Sequence, residues 1–168
     1  MTDTRIQGTP VTPEDIELAI RIGKAWREIR RGANTSVVRD AIYGVGGSAI
    51  EPSQMDALDF LTNYENCRMS DLAENLRIDP STATRAVQRM INDGLIERVP
   101  DKTDGRAVNL VLTERGQRIH SQVSERRKAI LVEVLGEFSH EERDLLADLF
   151  ERFNTGIEAA VMRKLRRR

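Results

Sequence analysis

The 168-residue sequence predicts a mainly α fold with a small β-hairpin wing, a winged helix-turn-helix flanked by N- and C-terminal dimerisation helices. Three observations predict it. Residues 69–93 read as two short amphipathic helices with a sharp boundary at Asp79-Pro80. IERV and AVNLVLT then read as paired strands around the polar loop PDKTDGR. The flanking segments carry apolar stripes larger than so small a module can bury, which calls for a second copy of the chain.

The first helix starts with Thr12 as N-cap, Pro13 at the first helical position and Glu14 and Asp15 in the first turn. Ile16, Ile20, Gly23 and Trp26 recur on one side of it, and a break near residues 32–36 precedes a second piece bearing Val37, Val38, Ile42 and Tyr43 and ending at Gly44. YGVGGSAIEP reads as a loop. The next helix sets Met55, Leu58, Leu61 and Tyr64 on one face, and Ser70 is the expected N-cap of the one after, whose Leu72, Ala73 and Leu76 face inward.

Proline at position 80 pushes Asp79 out of the helical region and itself suits a helix start. The helix that follows is about 14 residues and about 21 Å long. With Val87 at the centre of the buried face, Ala83, Met90 and Ile91 fall inside. Thr82, Arg85, Arg89 and Asn92 fall opposite, Ser81 and Gln88 on a flank and Thr84 near the border. Gly94 is the expected left-handed cap, with Leu95 reaching back to Met90. In the second strand Val108, Leu110 and Leu112 alternate onto one face.

Thr113 caps a long helix bearing Ile119, Val123, Ile130 and Val134, and Ser139 with Glu142 forms a capping box for the last. Leu145, Leu146, Leu149, Phe153, Ile157, Val161 and Leu165 make the strongest stripe in the chain. The expected divisions are 12–49, an N-terminal dimerisation helix and hinge; 50–113, the winged helix-turn-helix lobe; 114–165, C-terminal dimerisation helices; and 166–168, a basic tail. RKLRRR carries five positive charges in six residues and reads first as a solvated tail.

Composition excludes several classes. No run of about 18 apolar residues is present to span a bilayer, and the polar opening lacks an export signal, so the expectation is a cytoplasmic protein without membrane contact. One cysteine, Cys67, forbids an intrachain disulfide and reads as an unreactive thiol, while His120 and His140 alone suggest no metal site. Net charge is -1, split as -3 over residues 1–67 (7 basic, 10 acidic), +1 over 68–118 (9 and 8) and +1 over 119–168 (10 and 9). Any nucleic-acid affinity must therefore come from where arginines point. Residues 44–49 satisfy the G-x-G-x-x-A dinucleotide pattern but lack the preceding buried strand, and Pro52 restarts the next helix too late. With no phosphate loop, nucleophile elbow or paired catalytic carboxylates, we expect no enzyme and no cofactor.

The polar face of the 80–93 helix offers hydroxyls at Ser81, Thr82 and Thr84, an amide at Gln88 and guanidinium groups at Arg85 and Arg89. These are ligands for base edges and phosphates. On an isolated helix the better reading is a solvated face; a preceding helix, a turn and a following hairpin reverse that preference. Ser70 on the preceding helix and Lys102 in the loop join the candidate DNA contacts. Asp104 stands two residues before Arg106, where a carboxylate can hold the guanidinium toward a minor groove. Trp26, Tyr43, Met55 and Tyr64 are candidates for a ligand cleft, with ordinary core packing the commoner role of such residues.

L-A-E-N-L, D-P-S-T-A-T-R, D-G-L-I-E-R, D-x-x-D-G-R and L-T-E-R-G together resemble the MarR-type multiple-antibiotic-resistance regulators, closely over residues 50–120 and loosely beyond. The resemblance implies a homodimer joined through its terminal helices, recognition by the 80–93 helix, a wing in which Asp104 and Arg106 match the family's Asp-x-Arg pair, and release from DNA when a small molecule binds. The expected function is a homodimeric transcriptional regulator, a repressor, on a pseudo-palindromic double-stranded operator, responsive to a small-molecule effector. The competing reading is a winged-helix module that binds protein and not DNA.

Overall fold

The computed structural model describes residues 12–33, 36–45, 48–64, 67–101 and 107–166. Two compact units divide the chain at residues 120 and 121, inside one long helix. In the first unit, α1 (Pro13–Ala33) starts on a reciprocal cap: the Thr12 backbone N–H donates to Asp15 (2.8 Å) and the Asp15 N–H to the Thr12 hydroxyl (3.2 Å). Ile16, Ile20 and Trp26 are exposed along it, as are Leu18, Ile22 and Ile29. After α2 (Ser36–Tyr43) the expected loop is instead a small antiparallel ribbon of β1 (Gly44–Val45) and β2 (Ser48–Ala49), closed where the Ile50 N–H donates to the Tyr43 carbonyl at 3.1 Å. A hairpin in this place is not the strand-to-helix turn that a dinucleotide fold requires.

Helix α3 (Pro52–Asn63) buries Met55, Ala57, Leu58 and Leu61. Tyr64 does not continue that face. The helix ends at Asn63 and Tyr64 is extended and exposed, its ring 4.4 Å from that of Phe60. Helix α4 (Met69–Asn75) begins two residues earlier than expected. The cap is Arg68, whose N–H donates to Asp71 (2.9 Å), so Ser70 lies inside the helix and its hydroxyl donates to Asp71 as well (3.1 Å). The carboxylate three residues past the cap out-competed the serine as the terminating acceptor. Leu72 and Ala73 are buried as expected, whereas Leu76 is half-buried, because the helix has closed and the chain turns at Arg77 with φ 53.

Helix α5 (Pro80–Asn92) is capped by Asp79, which accepts from the Thr82 N–H at 2.9 Å. Its far end closes on Gly94 at φ 67, with the Gly94 N–H on the Ile91 carbonyl and the Leu95 N–H on the Met90 carbonyl, both 2.9 Å. A left-handed residue is required there and glycine supplies it without strain. Ala83, Val87 and Met90 are buried; Ile91, expected inside, is half-buried. Asp93 accepts from the Gln54 side chain at 2.9 Å, which ties the end of α5 to the start of α3.

Strands β3 (Ile96–Pro100) and β4 (Val108–Leu112) pair antiparallel, from Ile96 opposite Leu112 to Pro100 opposite Val108. The expected alternation in β4 fails. Leu110 is buried, but so is Asn109, while Val108 is exposed and Leu112 half-buried. Two contacts explain it: Cys67 pairs with Leu110 as a third strand segment, the Leu110 N–H on the Cys67 carbonyl at 2.8 Å, and the Asn109 amide donates to Asp101 at 2.8 Å across the base of the hairpin. Met55, Leu58, Leu72, Val87, Met90, Ile96 and Leu110 form the core that holds α3, α4, α5 and the hairpin together.

Thr113 starts α6 (Glu114–Leu135), accepting from the Gly116 N–H (3.0 Å) and donating to the Gly94 carbonyl (2.6 Å), so one side chain joins the end of α5 to the start of α6. Val123 is buried, Ile119 and Ile130 are half-buried and Val134 is exposed. In the second unit, α7 (His140–Leu165) has the expected box: the Ser139 N–H donates to Glu142 (2.8 Å) and the Glu142 N–H to the Ser139 hydroxyl (3.3 Å). No α7 residue is buried, and Leu145, Leu149, Val161 and Leu165 of its apolar stripe are exposed. Arg163 and Lys164 of the basic run belong to this helix and Arg166 caps it; residues 167–168 lie outside the described region.

Candidate nucleic-acid interface

Helix α5 is held from both ends and below, which leaves one side for other work. Its buried side is Ala83, Val87 and Met90, and at 100° per residue the opposite side is Ser81, Arg85, Gln88 and Asn92, with Thr84 and Arg89 on its borders. Ser81, Thr84, Arg85, Gln88, Arg89 and Asn92 are all exposed. Thr82 departs from expectation. It is half-buried, turned toward Asp79 and a cavity of about 450 Å³ between α3, α4 and α5 that Arg85 and Arg89 also border.

The hydrogen bonds on this face are specific. Asp79 Oδ1 receives the Ser81 hydroxyl and Asp79 Oδ2 the Thr82 hydroxyl, each at 2.6 Å. These bonds, with the Thr82 N–H, hold the Asp79 carboxyl well below the usual carboxylate range. The group is exposed and stays charged through neutral pH. Because its folded value is depressed, the stability it contributes is present above about pH 4 and lost as pH falls from there toward the folded value. Thr84 donates to the Pro80 carbonyl at 2.8 Å, and Arg85 Nη2 lies 3.4 Å from the Thr82 hydroxyl oxygen. Further along, Gln88 donates to Asn92 Oδ1 (3.0 Å) and accepts from Arg98 of β3 (3.5 Å).

The fold therefore assembles Ser81, Thr84, Arg85, Gln88 and Arg89 into one exposed patch and adds Arg98 and Asp79, which the sequence reading did not single out. The Asp79 signal was present, since an aspartate before Pro-Ser-Thr has hydroxyls at the right spacing. Arg98 had none, because only the packing of β3 against α5 brings it to Gln88. Ser70 is exposed on α4. Lys102, Asp104 and Arg106 lie outside the described residues.

The candidate ligand residues are dispersed. Met55 is wholly buried in the core, Trp26 is exposed on α1, and Tyr43 is half-buried at the end of α2. Tyr64 lines a shallow cleft with Phe60, Cys67, Asp71, Glu74 and Asn75. Burial, and next the nearby Asp71 charge, push the Cys67 thiol up to about 11, so it is protonated at neutral pH. We expect Cys67 to resist a thiol-specific disulfide reagent at pH 7.5 in the folded protein and to react with one equivalent on unfolding; rapid reaction of the native protein would contradict its burial. His120 Nε2 stands 2.9 Å from Asp59 Oδ1, joining the first turns of α6 to α3.

A model of the MarR family matches residues 50–108. The uncharacterized HTH-type transcriptional regulator YdgJ of Bacillus subtilis strain 168 is 30% identical over 111 residues, 66% of this chain and 67% of that protein. The HTH-type transcriptional repressor MdtR of the same organism is 30% identical over 93 residues, 55% of this chain and 60% of that one. In fold, the chain is similar to Streptococcus pneumoniae FabT in its crystal structure with DNA, at a TM-score of 0.74, 22% identity, and coverage of 83% of this chain and 97% of FabT.

Proposed function

The chain belongs to the MarR family of transcriptional regulators, and from that premise we propose that it acts as a homodimer that binds a pseudo-palindromic operator through α5 and is released by a small molecule. It is a regulator and not an enzyme, as its family is. The observation that carries DNA binding is the exposed patch of Ser81, Thr84, Arg85, Gln88 and Arg89 on a helix fixed at both ends. Arginine and glutamine read guanine and adenine edges, and arginine also meets phosphate. Ser70 joins from α4, and Lys102, Asp104 and Arg106 supply the wing, the arginine entering a minor groove. Likeness to FabT, which was crystallised with DNA, supports the same reading. Repression is supported by the relative MdtR.

Dimerisation is supported by apolar surface that a monomer leaves in water: Ile16, Ile20, Trp26 and Ile29 on α1, and Leu145, Leu149, Phe150, Val161 and Leu165 on α7. A dimer covers both sets and places two α5 helices one DNA turn apart, roughly 34 Å. Effector control then acts on that spacing. A ligand that favours one spacing by about 1–3 kcal/mol weakens the operator complex some 5- to 150-fold; of the four residues expected around it, Tyr64 borders a cleft and is the one retained in this proposal, whereas Met55 is core.

A random-duplex selection with the whole chain, followed by a salt titration, tests the DNA reading. Several arginine–phosphate contacts predict a steep loss of affinity with salt, whereas a protein-binding module retains its partner. For the dimer, Leu145→Glu with Leu149→Glu places unpaired charge in the interface and is expected to raise the dissociation constant at least ~100-fold, from a penalty of about 3 kcal/mol. Sedimentation equilibrium measures this directly. Trp26, the single tryptophan, is an internal probe whose emission should shift blue as dilute monomers associate.

A further inference from the structure

Carboxylate and carbonyl oxygens have no hydrogen to give. The Ser81 and Thr82 hydroxyls, each 2.6 Å from an Asp79 carboxylate oxygen, must therefore be the donors in those bonds, and so must Thr84, 2.8 Å from the Pro80 carbonyl. A hydroxyl carries one hydrogen. With that hydrogen committed, each oxygen turns lone pairs outward and nothing else.

Ser81 and Thr84 are exposed and lie about 60° apart around α5, flanking Gln88 on the same side as Arg85. The Thr82 oxygen, half-buried, instead faces Arg85 Nη2. The face is thus divided along its length, with acceptors and a carboxylate charge in the first turn and guanidinium donors from Arg85 onward. A DNA phosphate, which is an acceptor and negative, is opposed by that first turn. So are guanine N7 and O6 and thymine O4. What the turn accepts in a major groove is an exocyclic amino group, N4 of cytosine or N6 of adenine.

We propose that Ser81 and Thr84 read base amino groups instead of binding phosphate, and that Asp79 is the positioning residue that imposes this polarity. The inference rests on the DNA-binding reading and sharpens it: the edge of each half-site contacted by the first turn of α5 carries cytosine or adenine, and phosphate contacts come from guanidinium groups other than Arg85, Arg89 among them.

The test is selection from random duplex DNA by the whole chain, wild type beside Asp79→Asn and Ser81→Ala. Asparagine caps helices as well as aspartate does, but its amide has one oxygen, so it holds fewer hydroxyl hydrogens and no charge. Asp79→Asn is expected to lose a cytosine or adenine preference at one position per half-site by roughly 2- to 12-fold, the range of one neutral hydrogen bond, and to bind random duplex more tightly than wild type. In the second arm the selected base is replaced by its analogue without the amino group, 2-pyrimidinone for cytosine or purine for adenine, at the position that Ser81→Ala disturbs. That replacement should weaken wild type by the same roughly 2- to 12-fold and leave Ser81→Ala unchanged; which analogue acts identifies the base. If wild type selects no sequence at all, the DNA reading falls and this assignment with it. If wild type selects a sequence, and Asp79→Asn keeps the same preferences with unchanged random-duplex affinity, or wild type and Ser81→Ala lose equally to the analogue, only the assignment is overturned. Thermal melting of each variant checks that it is folded, and the analogue arm stands without Asp79→Asn.

Discussion

Replacing Gly116 with alanine is expected to destabilise the protein by about 3 kcal/mol or more and to lower its melting temperature by roughly 6–12 °C. A Cβ at this position lies 2.0 Å from the Leu95 carbonyl oxygen and 3.0 Å from its carbon, both backbone atoms. Backbone there has nowhere to retreat. The Leu95 N–H is bound to Met90, its carbonyl accepts the Thr113 N–H at 3.1 Å, and Ile96 begins β3 directly afterwards. Relief therefore requires the first turn of α6 to move away from the end of α5, which breaks the Thr113 hydroxyl's bond to Gly94 or, if Thr113 stays behind, its acceptance of the Gly116 N–H. Gly116 is itself buried, so the methyl gains no compensating space. Thermal or urea unfolding monitored by circular dichroism measures the loss; a melting temperature within about 2 °C of wild type would mean that the approach of α6 to Leu95 is looser than described. The same contact gives the L-T-E-R-G run its meaning, with threonine to bridge and glycine to let the helix pass.

Arg85→Ala is expected to relax base preference at one position of each half-site by about 5- to 150-fold, the worth of a bidentate arginine–guanine pair of 1–3 kcal/mol. Arg85 is exposed, and its Nη2 lies 3.4 Å from the Thr82 hydroxyl oxygen, itself fixed by Asp79. A guanidinium steadied in this way loses less conformational freedom on binding than a free arginine. The loss should concentrate at one base pair with little change in the salt dependence, whereas a phosphate-binding arginine weakens all sequences alike and lowers the salt slope by about 1. Competition binding of the variant against single-base operator changes, at two salt concentrations, separates the two roles. A uniform loss across sequences would assign Arg85 to phosphate.

Much of this architecture was legible because it is written in local chemistry. Thr12-Pro13 with Asp15, Asp79-Pro80, Ser139 with Glu142 and Gly94 before Leu95 each close a helix end within six residues of chain, and each is found as expected. Ser70 misled because Asp71, also local, is the better acceptor for the Arg68 N–H. Other misses lie in where elements end and in what pairs with them. Tyr64 left the α3 face when the helix ended and its ring tilts against Phe60; β4 lost its alternation when Cys67 joined Leu110 and Asn109 turned to Asp101; Gly44–Val45 and Ser48–Ala49 pair as a ribbon where a loop was expected. In α5 the periodicity placed Thr82 with Arg85, Arg89 and Asn92 on the outward face. The packed helix is rolled so that Ser81, Arg85, Gln88 and Asn92 face outward and Thr82 is half-buried.

The sequence alone determined the winged helix-turn-helix, the order of its helices and the set of polar side chains on α5, since capping, periodicity and turn chemistry act over a few residues and need no partner. Tertiary structure decided how that face is turned and what from outside the helix meets it. Which arginine of β3 reaches Gln88, and which glycine passes under a carbonyl, depend on atoms brought within about 3.5 Å of one another by the burial of Met55, Leu72, Val87 and Leu110. Distances of that order are set by packing, and packing is a property of the whole core.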